Sequence, residues 1–151
     1  MHHYRSKIIG ALFCLSLGTL SGLSMGYADL TWYHQLHKPS FNPPGWIFGP
    51  VWTTLYIMMG IVLGDLWNDR ASSKKVLWIF AVQMILNVLW SPLFFYMHRI
   101  DLALYDIILL WIFIGSLIAN ITKWSSKLFL VPYFLWVSFA CVLNVSLYVM
   151  N

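Results

Sequence analysis

Five long apolar runs, separated by short polar clusters, account for nearly all of the 151 residues. Each approaches the length of about 20 residues that a helix needs to cross a hydrocarbon core at about 1.5 Å per residue. The pattern predicts spans over about 8–27, 44–67, 76–97, 102–122 and 128–150, within a single membrane domain covering 1–151. The fold class is an all-α integral membrane protein, a five-helix transmembrane bundle. Short loops force antiparallel neighbours, so five spans place the termini on opposite sides. The first run admits two readings. It ends in Gly26-Tyr27-Ala28, which resembles a signal-peptide cleavage site. Yet it has nearly the length of a span, and Gly18, Gly22 and Gly26 share one helix face, as in a packed membrane helix.

The connection over 28–43 is much longer than the others and carries Trp32, Tyr33, His34, His37, Lys38 and Pro39. A loop of that length in a compact domain is expected to act as a lid or binding loop. Pro43-Pro44 suits the first turn of the second span, and Pro50 should kink that span. In the third span Gln83, Asn87 and Ser91 recur every four residues and so share a face. Polar side chains in hydrocarbon turn toward a bundle interior or a cavity, so Gln83, Asn87, Asp106 and Asn144 should point inward. For Gln83, Asp106 and Asn144 both interhelical hydrogen bonding and a pocket role stand. Counted from the long-loop side, Trp52, Asn87 and Ala140 all lie roughly 12–15 Å deep, a level at which one pocket can be lined by all three.

Composition sharpens this picture. The chain is 60% hydrophobic and 9% charged, which excludes a water-soluble outer face. Its net charge of +4 is scattered over helix ends rather than gathered in a stripe, so no nucleic-acid partner is expected. Arg5, Lys7, Arg70, Lys74, Lys75, Lys123 and Lys127 fall on the N-terminal side, against only Lys38 and Arg99 on the other. In a bacterial cell membrane this asymmetry predicts a cytoplasmic N-terminus. Cys14 and Cys141 differ in depth by roughly 9 Å, too far for a bridge. Trp67, Trp78 and Trp124 sit where interfacial anchors belong. Trp52, Trp90, Trp111 and Trp136 lie deeper and, with Phe48, Tyr56, Phe94, Tyr133 and Phe139, offer flat walls for a planar apolar ligand.

Motifs for common catalysis are missing: no Walker-type glycine loop, no G-x-S-x-G, no C-x-x-C and no H-E-x-x-H. His2, His3, His34, His37 and His98 stand in loops or at span ends, and no metal site is assigned. Asp106 has no second carboxylate for acid/base work.

Three separated stretches carry a resemblance. They are Trp32-Tyr33-x-x-Leu36-x-Lys38-Pro39-x-Phe41-x-Pro43-Pro44-Gly45-Trp46-x-Phe48-x-Pro50-Val51-Trp52-x-x-Leu55-Tyr56-x-x-Met59-Gly60, Gln83-x-x-x-Asn87-x-x-Trp90-Ser91-x-x-Phe94-Phe95, and Pro132-Tyr133-x-x-Trp136-x-x-Phe139-Ala140-x-x-Leu143-Asn144. Together they resemble the translocator protein family, also called tryptophan-rich sensory proteins or peripheral-type benzodiazepine receptors. The resemblance implies a homodimeric five-helix protein that binds porphyrin, haem, sterols and synthetic isoquinoline or benzodiazepine ligands beneath the first loop. It implies no required cofactor, and a mitochondrial outer membrane if the source is eukaryotic. By motif position it places Tyr33, Trp52, Asn87, Trp136 and Ala140 at the ligand. The cholesterol-recognition pattern of animal members is broken here, since Tyr148 is followed only by Val149, Met150 and Asn151.

The expected site therefore comprises Tyr33, Phe48, Trp52, Tyr56, Asn87, Trp90, Tyr133, Trp136 and Ala140. Trp52 and Asn87 are assigned to donate hydrogen bonds, Trp136 and Tyr133 to stack, Tyr33 to close the lid and Ala140 to leave room. The leading reading is a receptor or transporter for a tetrapyrrole or similar hydrophobic small molecule. One alternative is a light-dependent porphyrin-degrading enzyme using Trp52 and Trp136, as the resemblance implies. Another is an interaction protein docking through Gly18, Gly22 and Gly26 or through Gly60 and Gly64.

Overall fold

A computed structural model describes residues 2–69 and 74–151; Arg70 and the side chains of His2 and His3 lie outside the described residues. The order is α1 (His2–Gly26), α2 (Leu30–Gln35), α3 (Gly45–Asn68), α4 (Lys74–Ser91) continued by a π-helical turn (Pro92–Tyr96), α5 (Ile100–Asn120) and α6 (Trp124–Met150). Among the described residues there is no strand. Five helices, all but the short α2, are long and apolar enough to cross a membrane. Their ends move from the expected ones by a few residues. The largest shifts lengthen α1 and α6, which both begin earlier than their apolar runs.

The five long helices close into a ring. α1 touches α3 and α4, α3 touches α6, α6 touches α5, and α5 touches α4. At the α1–α3 crossing the backbones meet. A Cβ on Gly60 would lie 2.3 Å from the Ala11 Cα, one on Gly10 2.2 Å from the Gly60 carbonyl oxygen, and one on Gly64 2.6 Å from the Lys7 Cα. No side chain fits there, so the small-residue pattern serves close helix approach. Gly60 and Gly64 are thus engaged within the chain rather than presented to a partner. Gly18 receives the Tyr56 ring, whereas Gly22 and Gly26 have open space beside them.

Two polar devices complete the ring. Pro92 has no N–H to give the carbonyl of Val88, four residues earlier, and the Ser21 hydroxyl of α1 donates to that oxygen at 2.9 Å. Beyond Pro92 the ladder widens, with the Met97 N–H reaching the Pro92 carbonyl at 2.9 Å. At the N-terminal side the buried Asp65 carboxylate of α3 accepts from Lys123 at 2.7 Å and Ser126 at 3.0 Å, and pairs with Lys7 at 3.1 Å. α1, α3 and the start of α6 are thereby drawn to one charge.

The buried core runs through Leu55, Met59, Phe80, Leu110, Ile114 and Val137, with a second cluster of Phe94, Phe95, Ala103, Leu143 and Leu147 at the long-loop end. The outer faces stay apolar: Ile8, Leu12, Leu20, Ile112 and Leu135 are all exposed. In water this would be a liability, but lipid solvates it. Trp67, Trp78 and Trp124 are also exposed, near helix ends, as interfacial anchors are.

Candidate functional site

Helical spacing aligns the site residues. Phe48, Trp52 and Tyr56 stand one turn apart on α3; Gln83, Asn87, Trp90 and Phe94 follow the same stripe on α4; Tyr133, Trp136, Ala140 and Asn144 follow it on α6. Because α3 and α4 lie across the ring, long side chains must bridge its centre. The Tyr56 hydroxyl donates to the Asn87 carbonyl oxygen. The Asn87 amide donates to the Tyr133 hydroxyl at 2.7 Å, and that hydroxyl donates to Gln83 Oε1 at 2.9 Å. Gln83, Asn87 and Tyr133 are almost wholly buried, where an unpaired polar group is costly.

For Gln83 the structure selects interhelical bonding. Asn87, assigned above to a ligand, here spends its oxygen and one amide hydrogen on two tyrosines. Asn144 accepts from the Trp90 indole at 3.3 Å and donates to the Ala140 carbonyl at 2.8 Å. Ala140 itself is half-buried. Gln83 Nε2, Asp106 Oδ2 and Trp136 Nε1 have no hydrogen-bond partner among the described residues.

Aromatic rings form the walls above this floor. Trp52 lies 5.9 Å from Tyr56 and 6.4 Å from Tyr133 between ring centres. On the α6 side, Phe48 meets Trp136 edge-on at 5.9 Å, and Trp136 leans on Phe139 at 5.7 Å. On the α4 side, Trp90 stacks on Phe94 at 5.1 Å. Edge-on and offset contacts of this kind match the ring quadrupoles.

The roof is the long connection, which contains the short helix α2 where hydrophobic patterning predicts only loop. Asp29 caps α2 by accepting from the Thr31 N–H at 2.9 Å. That hydrogen bond, with the neighbouring His98, holds the Asp29 carboxyl below its ordinary range. Tyr33 then sits edge-on to Phe95 at 5.5 Å and to Phe94 at 6.1 Å, and Trp32 stacks on His98 at 4.4 Å. The His37 N–H donates to Asn151 Oδ1 at 2.9 Å, while Asn151 Nδ2 donates to the His37 carbonyl at 3.0 Å. Lys38 Nζ lies 4.5 Å from the centre of the Tyr33 ring.

A groove of about 560 Å³ opens between α3 and α6, lined by Pro50, Val51, Thr54, Leu55, Met58, Pro132, Leu135, Trp136 and Phe139. Of the nine expected site residues, only Trp136 lines it. Trp111 departs from expectation. The buried stripe of α5 is Asp106, Ile107, Leu110, Ile114 and Leu117, which turns Trp111 outward onto Phe134, with its indole donating to Ser138 at 2.8 Å. It forms no wall of the site. Sequence reasoning also missed Asn151 and His98 as lid fasteners, because nothing in their local pattern shows which distant segment they meet. Among the described residues no group of three His, Cys, Asp or Glu side chains is placed to hold a metal. The groups gathered here are aromatic rings and a few hydrogen-bond donors.

Residues 10–150 match the TspO/MBR family. The chain is 44% identical over 145 residues to the tryptophan-rich protein TspO of Chlorobaculum tepidum, covering 91% of this chain and 90% of that one. It is 38% identical over 148 residues to the tryptophan-rich protein TspO of Archaeoglobus fulgidus, covering 96% and 97%. It is 34% identical over 147 residues to the human translocator protein, covering 90% and 85%.

Proposed function

The chain belongs to the TspO/MBR family, and from that premise we propose that this multi-pass membrane protein is a receptor or transporter for a flat hydrophobic ligand of the porphyrin or haem class. The names of its relatives, translocator protein and tryptophan-rich sensory protein, support the receptor or transporter role. One observation favours the ligand class: half-buried rings of α3, α4 and α6 converge above a polar floor and beneath a fastened lid. Planar rings stack on such walls, and few polar groups are needed to orient them.

In this reading Phe48, Trp52, Trp90 and Trp136 contact the ligand and Tyr33 closes over it. Tyr56, Asn87 and Tyr133 form the floor, and Ala140 leaves space. The second Asn87 amide hydrogen and the Trp136 indole N–H are the donors that a ligand acceptor would meet. A fluorescence titration of the purified protein with protoporphyrin IX tests the reading. Saturable quenching of tryptophan emission is expected, weakened about tenfold or more, roughly 1.4 kcal/mol, by Ala140→Thr or Trp136→Phe. Unsaturable quenching in the unmodified protein sinks it. Illumination of the same complex separates binding from photochemistry. Porphyrin bleaching that outpaces free porphyrin and disappears in Trp136→Phe would move the protein to the enzyme reading.

A further inference from the structure

The lid and the α3–α6 seam offer two ways into the aromatic site, and they are built differently. From the aqueous side, a ligand must part the reciprocal His37–Asn151 bonds, the Trp32–His98 stack and the Tyr33 contacts with Phe94 and Phe95. From the side, the groove between α3 and α6 is already open. Its mouth is Pro50, Thr54, Pro132 and Leu135, all exposed on the apolar flank of the bundle. Trp136 and Phe139 also line the groove; Trp136 meets Phe48 of the site wall, and Phe139 meets Phe41 of the long loop. The groove is therefore continuous with the site.

Three features of the seam bear on passage. Both walls carry a proline, and each proline removes one rung of its helix ladder, so both helices can bend at this level. The mouth shows almost no polar group to the bilayer, because the Thr54 hydroxyl is bound to the Pro50 carbonyl at 2.9 Å. Among the lining residues, the Trp136 indole N–H is buried and has no acceptor among the described residues. A buried donor without a partner favours a guest that brings one.

Resting on the porphyrin-class reading above, we propose that the α3–α6 seam is a lateral door. A flat apolar molecule dissolved in the bilayer passes edge-first between Pro50/Thr54 and Pro132/Leu135, and an acceptor on its rim takes the Trp136 N–H as it enters the site. The lid then retains the ligand and is not its route.

The test uses the full chain in liposomes preloaded with protoporphyrin IX, with stopped-flow quenching for rates and equilibrium quenching for Kd. Thr54→Phe, and separately Leu135→Trp, narrow the mouth at exposed positions where folding is not at stake. Asn151→Ala unfastens the lid. The door requires that both mouth variants slow association and dissociation together by about tenfold, with Kd changed less than about twofold, while Asn151→Ala leaves association unchanged. Unaltered rates in the mouth variants, with faster association in Asn151→Ala, overturn it in favour of the lid. A raised Kd at unchanged association also overturns it, because the groove is then part of the seat and not a passage. Absence of saturable binding in the unmodified protein is a different failure: it removes the ligand class and the door with it.

Discussion

The two ends of this bundle are held together by opposite means. At the N-terminal side, α1 and α3 touch backbone to backbone through Gly10, Gly60 and Gly64, and one buried carboxylate gathers Lys7, Lys123 and Ser126. At the long-loop side the helices are kept apart by rings, and the roof is fastened by two amide hydrogen bonds and a stack. Close backbone contact leaves no freedom, because a helix backbone cannot rearrange around an added atom. Aromatic contacts tolerate sliding and tilting, since many offset geometries have similar energies. The molecule therefore has a rigid end that sets the ring and an adaptable end, where the proposed ligand site lies.

The largest expected effect breaks the rigid end directly. Gly60→Leu forces atoms into the Gly10–Ala11 backbone and should lower stability by about 3 kcal/mol or more, read as a drop in thermal unfolding temperature in detergent. Gly22→Ala on the same α1 helix, where nothing lies within 4 Å, should be neutral or stabilising by up to about 1 kcal/mol. Equal losses in both variants would show that the close backbone approach at Gly60 is not what sets the cost, because helix propensity favours both replacements.

Next comes Asp65→Asn, which leaves Lys7 and Lys123 facing a neutral amide. A loss of about 2 kcal/mol is expected, since the carboxylate is buried while both lysines retain partial access to solvent. Between the two ends, Tyr133→Phe strips partners from both Asn87 and Gln83 and should cost about 1 to 2 kcal/mol, with ligand binding measured in parallel. At the adaptable end, Trp136→Phe should cost less than about 1.5 kcal/mol of stability while weakening protoporphyrin IX binding. A variant that loses both in equal measure would erase the contrast between the two ends.

The smallest effect concerns the roof and depends on pH. Because the folded state holds the Asp29 carboxyl below its ordinary range, its cap on α2 is fully present above the unfolded value of 3.8 and is lost as pH falls through the lowered folded value. Hydrogen exchange at the α2 amides should therefore quicken only under acid conditions, and Asp29→Ala should quicken it at every pH.

Much of this protein was legible in its pattern. Apolar run length alone marks five spans, since hydrocarbon thickness sets helix length and lipid demands an apolar exterior. The four-residue recurrence of Gln83, Asn87 and Ser91 marks an inward face for the same reason. The deep level shared by Trp52, Asn87 and Ala140 follows from constant helical rise. Other features were not local. Trp111 is as deep as Trp136, and only the rotation of α5 turns it outward. Asp65 lies on the same side as Lys7 and Lys123, yet the sequence alone does not pair them, because residue position along a helix sets level and not azimuth.

Composition and periodicity thus decided the solvent, the number of crossings and the inward stripe, because each depends on one helix meeting lipid. Tertiary structure alone decided which stripes face each other. It gave Asn87 to two tyrosines, Gly60 to Ala11, His37 to Asn151 and the prolines to a common seam. The physical reason is that depth and periodicity are properties of a single helix, whereas azimuth and neighbour are properties of the closed ring.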